Sequence, residues 1–246
     1  MSTLAAMVFI VGPANGQGKP DDPALFQELS LYVGSKSCIE CHAKFYHLWS
    51  NSRHGLAMQP YTPELATAQL TPQDKDLVIG KYRYRADIGP KAGWVLETGP
   101  QGKKNKYPIV HVLGGKNVYY FLTPLERGRL QTLPVAYDVR TKQWFDTAAS
   151  GVRHFGSGPS AEPVHWKEWS YTFNTACFNC HVSQLSSNYD LKTDTYRTTW
   201  AEPGINCETC HGPSKEHNEV LQAAPKGQTP PDLKIVRVTK FTPEQH

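Results

Sequence analysis

The pentapeptide Cys-x-x-Cys-His occurs three times in this chain, at residues 38–42, 177–181 and 207–211, and the three copies use all six cysteines. Two intervening residues span about one helical turn, so both sulfurs of each copy face the same way and the histidine follows beside them. This pattern is the attachment site of a c-type haem, in which both thiols bond to the porphyrin and the histidine binds the iron. The sequence therefore predicts three covalent haems c.

The predicted haem sites are made by three cysteine pairs and three proximal iron ligands. The thioether cysteines are Cys38, Cys41, Cys177, Cys180, Cys207 and Cys210, and the proximal ligands are His42, His181 and His211. Cysteine pairs also occur in disulfide frameworks, zinc sites and thioredoxin-like redox motifs. None of these needs a histidine after every pair, and only ten histidines occur in 246 residues. Haem attachment is therefore favoured over all three alternatives.

The composition fits a fold whose core is partly cofactor. The 246 residues could form one large domain or two small ones, with glycine and proline at 19 each. Such a composition disfavours long helices and a thick aliphatic core. The 12 tyrosines, 9 phenylalanines and 6 tryptophans suit packing around porphyrins. The formal charge of +4 would be offset by haem propionates, and no basic stripe indicates nucleic acid.

The N-terminal residues 1–16 resemble the end of a secretory signal. The apolar run at residues 4–11 is too short to span a bilayer, and residues 14–16 form a small-residue cleavage site. We therefore expect an exported protein, periplasmic or extracellular, without a transmembrane segment. Haem c is attached outside the bacterial cytoplasm, which also favours export.

Residues 17–246 are predicted to form a single multihaem cytochrome domain of α+β class, largely irregular, with short haem-binding helices around a haem core. The first haem segment covers residues 35–58, with a helix at 40–52. A β-rich insertion follows at 78–147, where short runs of tyrosine, valine and tryptophan alternate with turn residues and predict an antiparallel meander. The second and third haem segment covers 150–220. The tail at 221–246 carries a predicted strand at 233–238.

The spacing of the motifs predicts how the haems group. Between Cys41 and Cys177 lie 135 residues, whereas only 26 separate Cys180 from Cys207. The short tether should hold the second and third haems close together, with the first haem at one end of the row.

The sixth ligand of each iron decides between electron transfer and chemistry on a substrate. The three methionines, Met1, Met7 and Met58, make methionine ligation at all three irons improbable. The favoured distal ligands are His54, His165 and His217. Five residues between His211 and His217 are too few to wrap around one porphyrin, so His217 is expected to serve another haem. The same objection applies to His47.

The remaining histidines are weaker candidates for the distal position. His111 and His154 are held in reserve. His111 lies in a strand pattern, where a histidine is more often an ordinary strand-face residue.

Several stretches resemble the multihaem c-type cytochromes that are often fused to tetratricopeptide repeats. They lie at residues 32–42, 49–58, 128–138, 165–166, 174–181, 188–190, 198–200 and 207–213, together with His217. The likeness covers roughly residues 30–220. It implies electron-transfer haems with bis-histidine ligation, and it strengthens His54, His165 and His217 as ligands. This chain lacks the repeats and ends where relatives often continue into another haem motif. It is either a short tri-haem member or part of a longer protein.

Three functions remain open from the sequence. The first is an electron carrier or a subunit of a redox complex, with redox proteins or other copies of the chain as partners. The second is a subunit of an extracellular cytochrome filament that stacks terminal haems, an arrangement that a ligand shared between subunits, such as His246, would suit. The third is a multihaem reductase with one open haem, for which Arg127, Arg129 and His111 could supply protons and anion contacts.

Overall fold

The computed structural model describes residues 30–89, 91–150, 164–238 and 242. The secretory-signal prediction, His154 and His246 lie outside these ranges.

The central feature is a five-stranded antiparallel sheet with strand order β1-β6-β7-β8-β9. We refer to it as sheet A. Its strands are β1 (Met58–Pro60), β6 (His111–Leu113), β7 (Val118–Pro124), β8 (Leu130–Asp138) and β9 (Gln143–Asp146). The first strand follows directly from the first haem segment, so sheet A is tied to that segment along the chain.

A second antiparallel sheet, sheet B, has four strands in sequence order. They are β2 (Leu77–Ile79), β3 (Tyr82–Ile88), β4 (Gly93–Thr98) and β5 (Lys104–Pro108). The two remaining pairings are short, β10 (Val182–Ser183) with β13 (Glu202–Pro203) and β11 (Tyr189–Asp190) with β12 (Thr195–Tyr196). The meander predicted at residues 78–147 is thus confirmed as two antiparallel sheets.

The α-helices in the described ranges are short and lie mainly at the Cys-x-x-Cys-His motifs. They are α1 (Ile39–Ser50), α2 (Pro63–Gln69), α3 (Phe173–Ala176), α4 (Cys207–His211) and α5 (Lys215–Ala223). The helix predicted at 40–52 is confirmed within two residues at its end, with a kink at His42, where φ is −124° and ψ is 34°. The strand predicted at 233–238 is wrong, since this stretch is irregular.

Sheet A has two different apolar faces because side chains alternate along each strand. One face contributes Val112, Phe121 and Leu133 to a large core shared with sheet B and α2. We call it the sandwich face. The opposite face contributes Leu113 and Leu122 to a smaller cluster. This cluster includes Cys177 and Phe178 of the second motif, so we call it the haem-2 face.

The large core contains a buried carboxylate. Glu97 of β4 is only 2% exposed and accepts hydrogen bonds from Trp166 Nε1 (3.0 Å), Asn105 Nδ2 (2.8 Å) and Tyr107 Oη (3.2 Å). Burial acts to raise the pKa of Glu97, but the hydrogen bonds from Trp166 and Asn105 and the nearby Lys167 ammonium lower it overall. Glu97 therefore ties residues 166–167 to sheet B as a charged group.

Candidate functional site

The first motif lies at the start of α1. A 3₁₀ turn, Ser35–Cys38, leads into the helix, and the kink at His42 follows Cys41 directly. His42 contacts Phe45 edge-on, with ring centroids 6.4 Å apart. None of the side chains of α1 is buried. The motif is therefore presented on a helix that has one open side.

The second motif follows α3 in a 3₁₀ turn, Phe178–Cys180. Cys177 packs against the smaller apolar cluster on the haem-2 face of sheet A, while Cys180 is exposed. The ring of His181 lies against the end of β1, with Nδ1 2.5 Å from the carbonyl oxygen of Ala57. Burial lowers the pKa of His181, and the hydrogen bond to Ala57 opposes that shift in part. The imidazole is thus held neutral, which is the form that binds metal.

The third motif is α4 itself. Asn206 caps the helix by accepting a hydrogen bond from the Thr209 N–H (2.9 Å), as expected of asparagine at this position. The helix ends at Gly212, whose φ of 74° favours glycine. His211 lies at the last helical position, with Nδ1 2.9 Å from the carbonyl oxygen of Val236.

Two carboxylates in the segment of the third motif accept hydrogen bonds from the residues that precede the first motif. Glu208, 2% exposed, accepts hydrogen bonds from the backbone N–H groups of Val33 (3.0 Å) and Gly34 (2.9 Å). Glu202 accepts from both the backbone N–H and the hydroxyl of Ser35, each at 3.0 Å. Since each such bond is charge-assisted, the two segments are joined firmly although they are more than 160 residues apart in sequence.

The thiols of these two motifs also meet. Their interaction raises the pKa of the Cys38 thiol and lowers that of the Cys207 thiol. All six cysteines are free of disulfides. One attachment sulfur of the first motif therefore lies close to one of the third.

The second motif is joined to the third in a different way. Gly204 N–H donates to the His181 carbonyl (2.9 Å), and β10 pairs with β13. The same residues approach the turn after α1, because Ile205 N–H donates to the His54 carbonyl (3.0 Å). Gly204, with φ of 80°, allows this approach, since a Cβ there would lie 2.9 Å from the carbonyl oxygens of His54 and Gly55. The three motifs thus converge on residues 202–208.

Three of the predicted iron ligands share one arrangement. In His181, His211 and His217, Nδ1 lies 2.5–2.9 Å from a backbone carbonyl oxygen; for His217 the partner is Leu233, at 2.7 Å. A carbonyl can only accept, so Nδ1 carries the proton and Nε2 keeps its lone pair. Metal-binding histidines in proteins are oriented in this way. The irregular tail supplies two of the three carbonyls, at Leu233 and Val236.

The other predicted distal ligands lie in different places. The side chain of His54 is exposed in the turn after α1, near Ile205. His165 lies beside the large core, with its ring 5.1 Å from that of Tyr82 and next to Trp166. Its Nδ1 accepts a hydrogen bond from the Lys167 N–H (3.3 Å). In the described part of the chain, the ring contacts of His165 with Tyr82 and Trp166 join it to the sandwich.

The surface around the first motif is suited to a flat apolar group. The side chains of Phe45 and Leu48 are 68% and 59% exposed, and Ile39 on the same helix is also exposed. Exposed apolar side chains that cluster next to polar binding groups mark ligand sites. The residues present therefore fit a porphyrin: paired thiols for its edge, an imidazole for its iron and apolar side chains for its face. In the described ranges, no three histidine, cysteine or acidic side chains form a group able to hold a bare metal ion.

Comparison with known proteins supports a c-type cytochrome. Residues 143–212 match the family described as cytochrome c554 and c-prime, a span that contains the second and third motifs. No curated protein matches significantly. A solved structure, that of outer cell wall cytochrome OcwA, is similar with a TM-score of 0.46 and 16% identity, over 79% of this chain and 34% of that one. This chain thus spans about a third of that protein's length. Within the described residues, no helix is long and apolar enough to cross a membrane.

Proposed function

We propose that this chain is a c-type cytochrome that transfers electrons through three covalent haems, each bound by histidine on both sides of its iron. The observation that carries this proposal is the shared orientation of His181, His211 and His217, whose Nε2 atoms are left free by hydrogen bonds at Nδ1. Most metal-binding histidines in proteins make a hydrogen bond of this kind through their other ring nitrogen. The repeated Cys-x-x-Cys-His motif supplies the thioether sulfurs beside two of these rings.

The proposed attachment residues are the six cysteines, with His42, His181 and His211 as proximal ligands. His54 and His217 are proposed as distal ligands. A haem with two imidazole ligands supplies one-electron redox chemistry and leaves no position for substrate. The protein residues set the distances: the carboxylates Glu202 and Glu208 hold the first and third sites together.

The same arrangement has consequences for the path of electrons. Residues 202–208 contact both other motif segments, whereas the His181 ring meets the first segment at Ala57, the end of that segment away from Cys38 and His42. The third site thus lies between the first and second motifs in the network of contacts. We propose that the order along the path is first, third, second, rather than the order in sequence. Redox proteins would exchange electrons at the two outer sites, and contact with other copies of the chain would use the same sites. An exported, periplasmic or extracellular location fits this role.

The proposal is tested by the absorption spectrum of the reduced holoprotein with and without carbon monoxide. If both sides of all three irons are occupied by histidine, the bands do not change when carbon monoxide is added. A shift of about one third of the haem absorbance would mean one open iron and would favour the reductase alternative. Dithionite titration with a redox indicator then shows whether three electrons are taken up per chain.

A further inference from the structure

His111 on β6 is buried without any hydrogen-bond partner. The residue is 6% exposed, and neither Nδ1 nor Nε2 has a partner among the described residues. A buried polar atom that lacks a hydrogen bond destabilises the folded chain. A histidine with both ring nitrogens in this state therefore needs an explanation, and binding of a metal or ligand is one of the usual ones.

The side chain of His111 belongs to the haem-2 face of sheet A. In the strand register, His111 lies between Pro60 of β1 and Leu122 of β7, and Leu122 pairs in turn with Thr132 of β8. Leu122 is part of the cluster that includes Cys177 and Phe178. At the far end of this row, the Thr132 hydroxyl is buried without a hydrogen-bond partner among the described residues, and it acts to lower the pKa of the nearby Cys177 thiol, which burial raises. The row thus runs from an attachment sulfur of the second motif to His111.

The proximal ligand of the same motif lies at the other end of β6. The Ala57 carbonyl oxygen accepts from the Gly114 N–H (2.7 Å) and from His181 Nδ1 (2.5 Å). His111 is three residues before Gly114, a distance of about 10 Å along an extended strand. One short strand therefore has the His181 ring beside one end and the His111 ring near the other.

The neighbours of His111 pack against its ring without using its nitrogens. The Trp200 ring lies edge-on at 5.5 Å, and Phe173 contacts Trp200 in turn. Burial lowers the pKa of His111 to about 4, so its imidazole is neutral at physiological pH. A neutral imidazole in apolar surroundings, with free lone-pair capacity, is the state in which histidine binds iron.

We infer that His111 is the distal ligand of the iron whose haem is attached to Cys177 and Cys180, opposite His181. This inference rests on the proposed function, since it assumes a haem at the second motif. It replaces His165, which lies on the sandwich side of sheet A with Tyr82 and Trp166. Sheet A itself separates His165 from the cluster that contains Cys177.

The test compares three alanine variants of the holoprotein: His111→Ala, His165→Ala and His47→Ala. His47 is an exposed histidine on α1 and serves as the matched control. In His111→Ala, about one third of the haem absorbance should become sensitive to carbon monoxide, and a high-spin signal should appear in the electron paramagnetic resonance spectrum. The other two variants should match the parent. The inference is overturned if His111→Ala stays low-spin, or if His165→Ala opens an iron instead.

Three further measurements keep the test decisive. Added imidazole should return His111→Ala to the low-spin state, which a merely structural role would not produce. If His111→Ala does not yield holoprotein, His111→Met retains a ligand and should raise the reduction potential of one haem in three; unchanged potentials would refute the inference. Intact mass distinguishes failure of the His111 assignment from failure of the proposed function, because a chain without haem at Cys177 and Cys180 would contradict the proposed function itself.

Discussion

The sandwich of sheets A and B and the surface that bears the three motifs differ in what fills their interiors. Val95, Phe121 and Leu133 in the sandwich are fully buried by protein atoms, whereas α1 buries none of its side chains. The sandwich is thus a core built from protein alone. The motif surface is held by polar contacts, chiefly to Glu202 and Glu208, and its apolar side chains are left for another apolar body to cover. The fold therefore has one core made of side chains and, in our proposal, a second made of haem.

The largest effect is expected when one haem is removed. In Cys38→Ser/Cys41→Ser, the first haem should be lost, and α1 should lose the body that covers Phe45 and Leu48. Burial of such side chains contributes about 1.5–3 kcal/mol each, so amide exchange in α1 should rise by at least about 100-fold. Exchange in β7 and β8, measured by mass spectrometry in the same sample, should change little. Equal losses of protection in both regions would show that they do not have separate cores.

The buried carboxylate of the sandwich gives the next largest effect. Glu97→Ala leaves the Trp166 and Asn105 donors and the Lys167 charge without their partner, and it should lower the free energy of unfolding by about 3 kcal/mol. Asp74→Ala, an exposed carboxylate before β2, should change it by less than about 0.5 kcal/mol. Denaturant unfolding followed by tryptophan fluorescence measures both. The haem spectrum should stay unchanged in both variants.

The pH dependence of the Glu97 contribution has a definite sign. Its pKa is lower in the folded state than the ordinary 4.5, so its stabilising effect is fully present above pH 4.5. The effect is lost as the pH falls below 4.5 through the folded pKa. The difference in stability between the parent and Glu97→Ala should therefore shrink only in that acid range, and a difference that shrinks at neutral pH would contradict this interpretation.

The contact between the first and third motifs should show a smaller effect. Glu208→Ala leaves the backbone donors of Val33 and Gly34 and the Ser214 hydroxyl unpaired, at a cost of about 2 kcal/mol. Exposed Glu219→Ala on α5 is the control. Exchange of residues 33–35 and electronic coupling between haems should change only in the first variant. An unchanged exchange rate would mean that Glu208 does not hold the two motifs together.

The smallest predicted effect distinguishes covered from uncovered apolar side chains. Phe45 and Val78 are similarly exposed in the polypeptide, at 68% and 70%. In the holoprotein, Phe45→Ser should cost about 1–2 kcal/mol because haem covers that ring, whereas Val78→Ser on the outer side of sheet B should cost almost nothing. Thermal unfolding of the two variants provides the comparison, and equal melting temperatures would argue against a haem over α1.

Much of the fold was accessible from the sequence because its signals are local. Alternating tyrosine and valine runs between turn residues predicted β3, β4, β6, β7, β8 and β9 but not β1, β2 or β5, and the motif spacing predicted short helices at α1 and α4. The tail was predicted wrongly, since Leu233 to Val238 has the composition of a strand. There the backbone carbonyls are directed to His211 and His217 rather than to a neighbouring strand.

The arrangement of the candidate sites was less accessible, because it depends on contacts distant in sequence. A short tether predicted that the second and third motifs are neighbours, and β10 and β13 do join their segments. No local signal revealed that Glu208 and Glu202 hold residues 33–35. His111 looked like an ordinary strand residue, and only the register of β6 shows which face it occupies. Likewise, the packing of Trp166 in the large core decided the side of sheet A on which His165 lies.

The central claim is that three haems are covalently bound where the motif surface is open. The most direct measurement is the intact mass of the purified, denatured chain, followed by sequencing of the haem-bearing peptides. We predict a mass greater than that of the polypeptide by three haems, with the attached groups on the peptides that contain residues 38–41, 177–180 and 207–210. A mass equal to that of the bare polypeptide, or haem that acid extraction removes completely, would contradict the account.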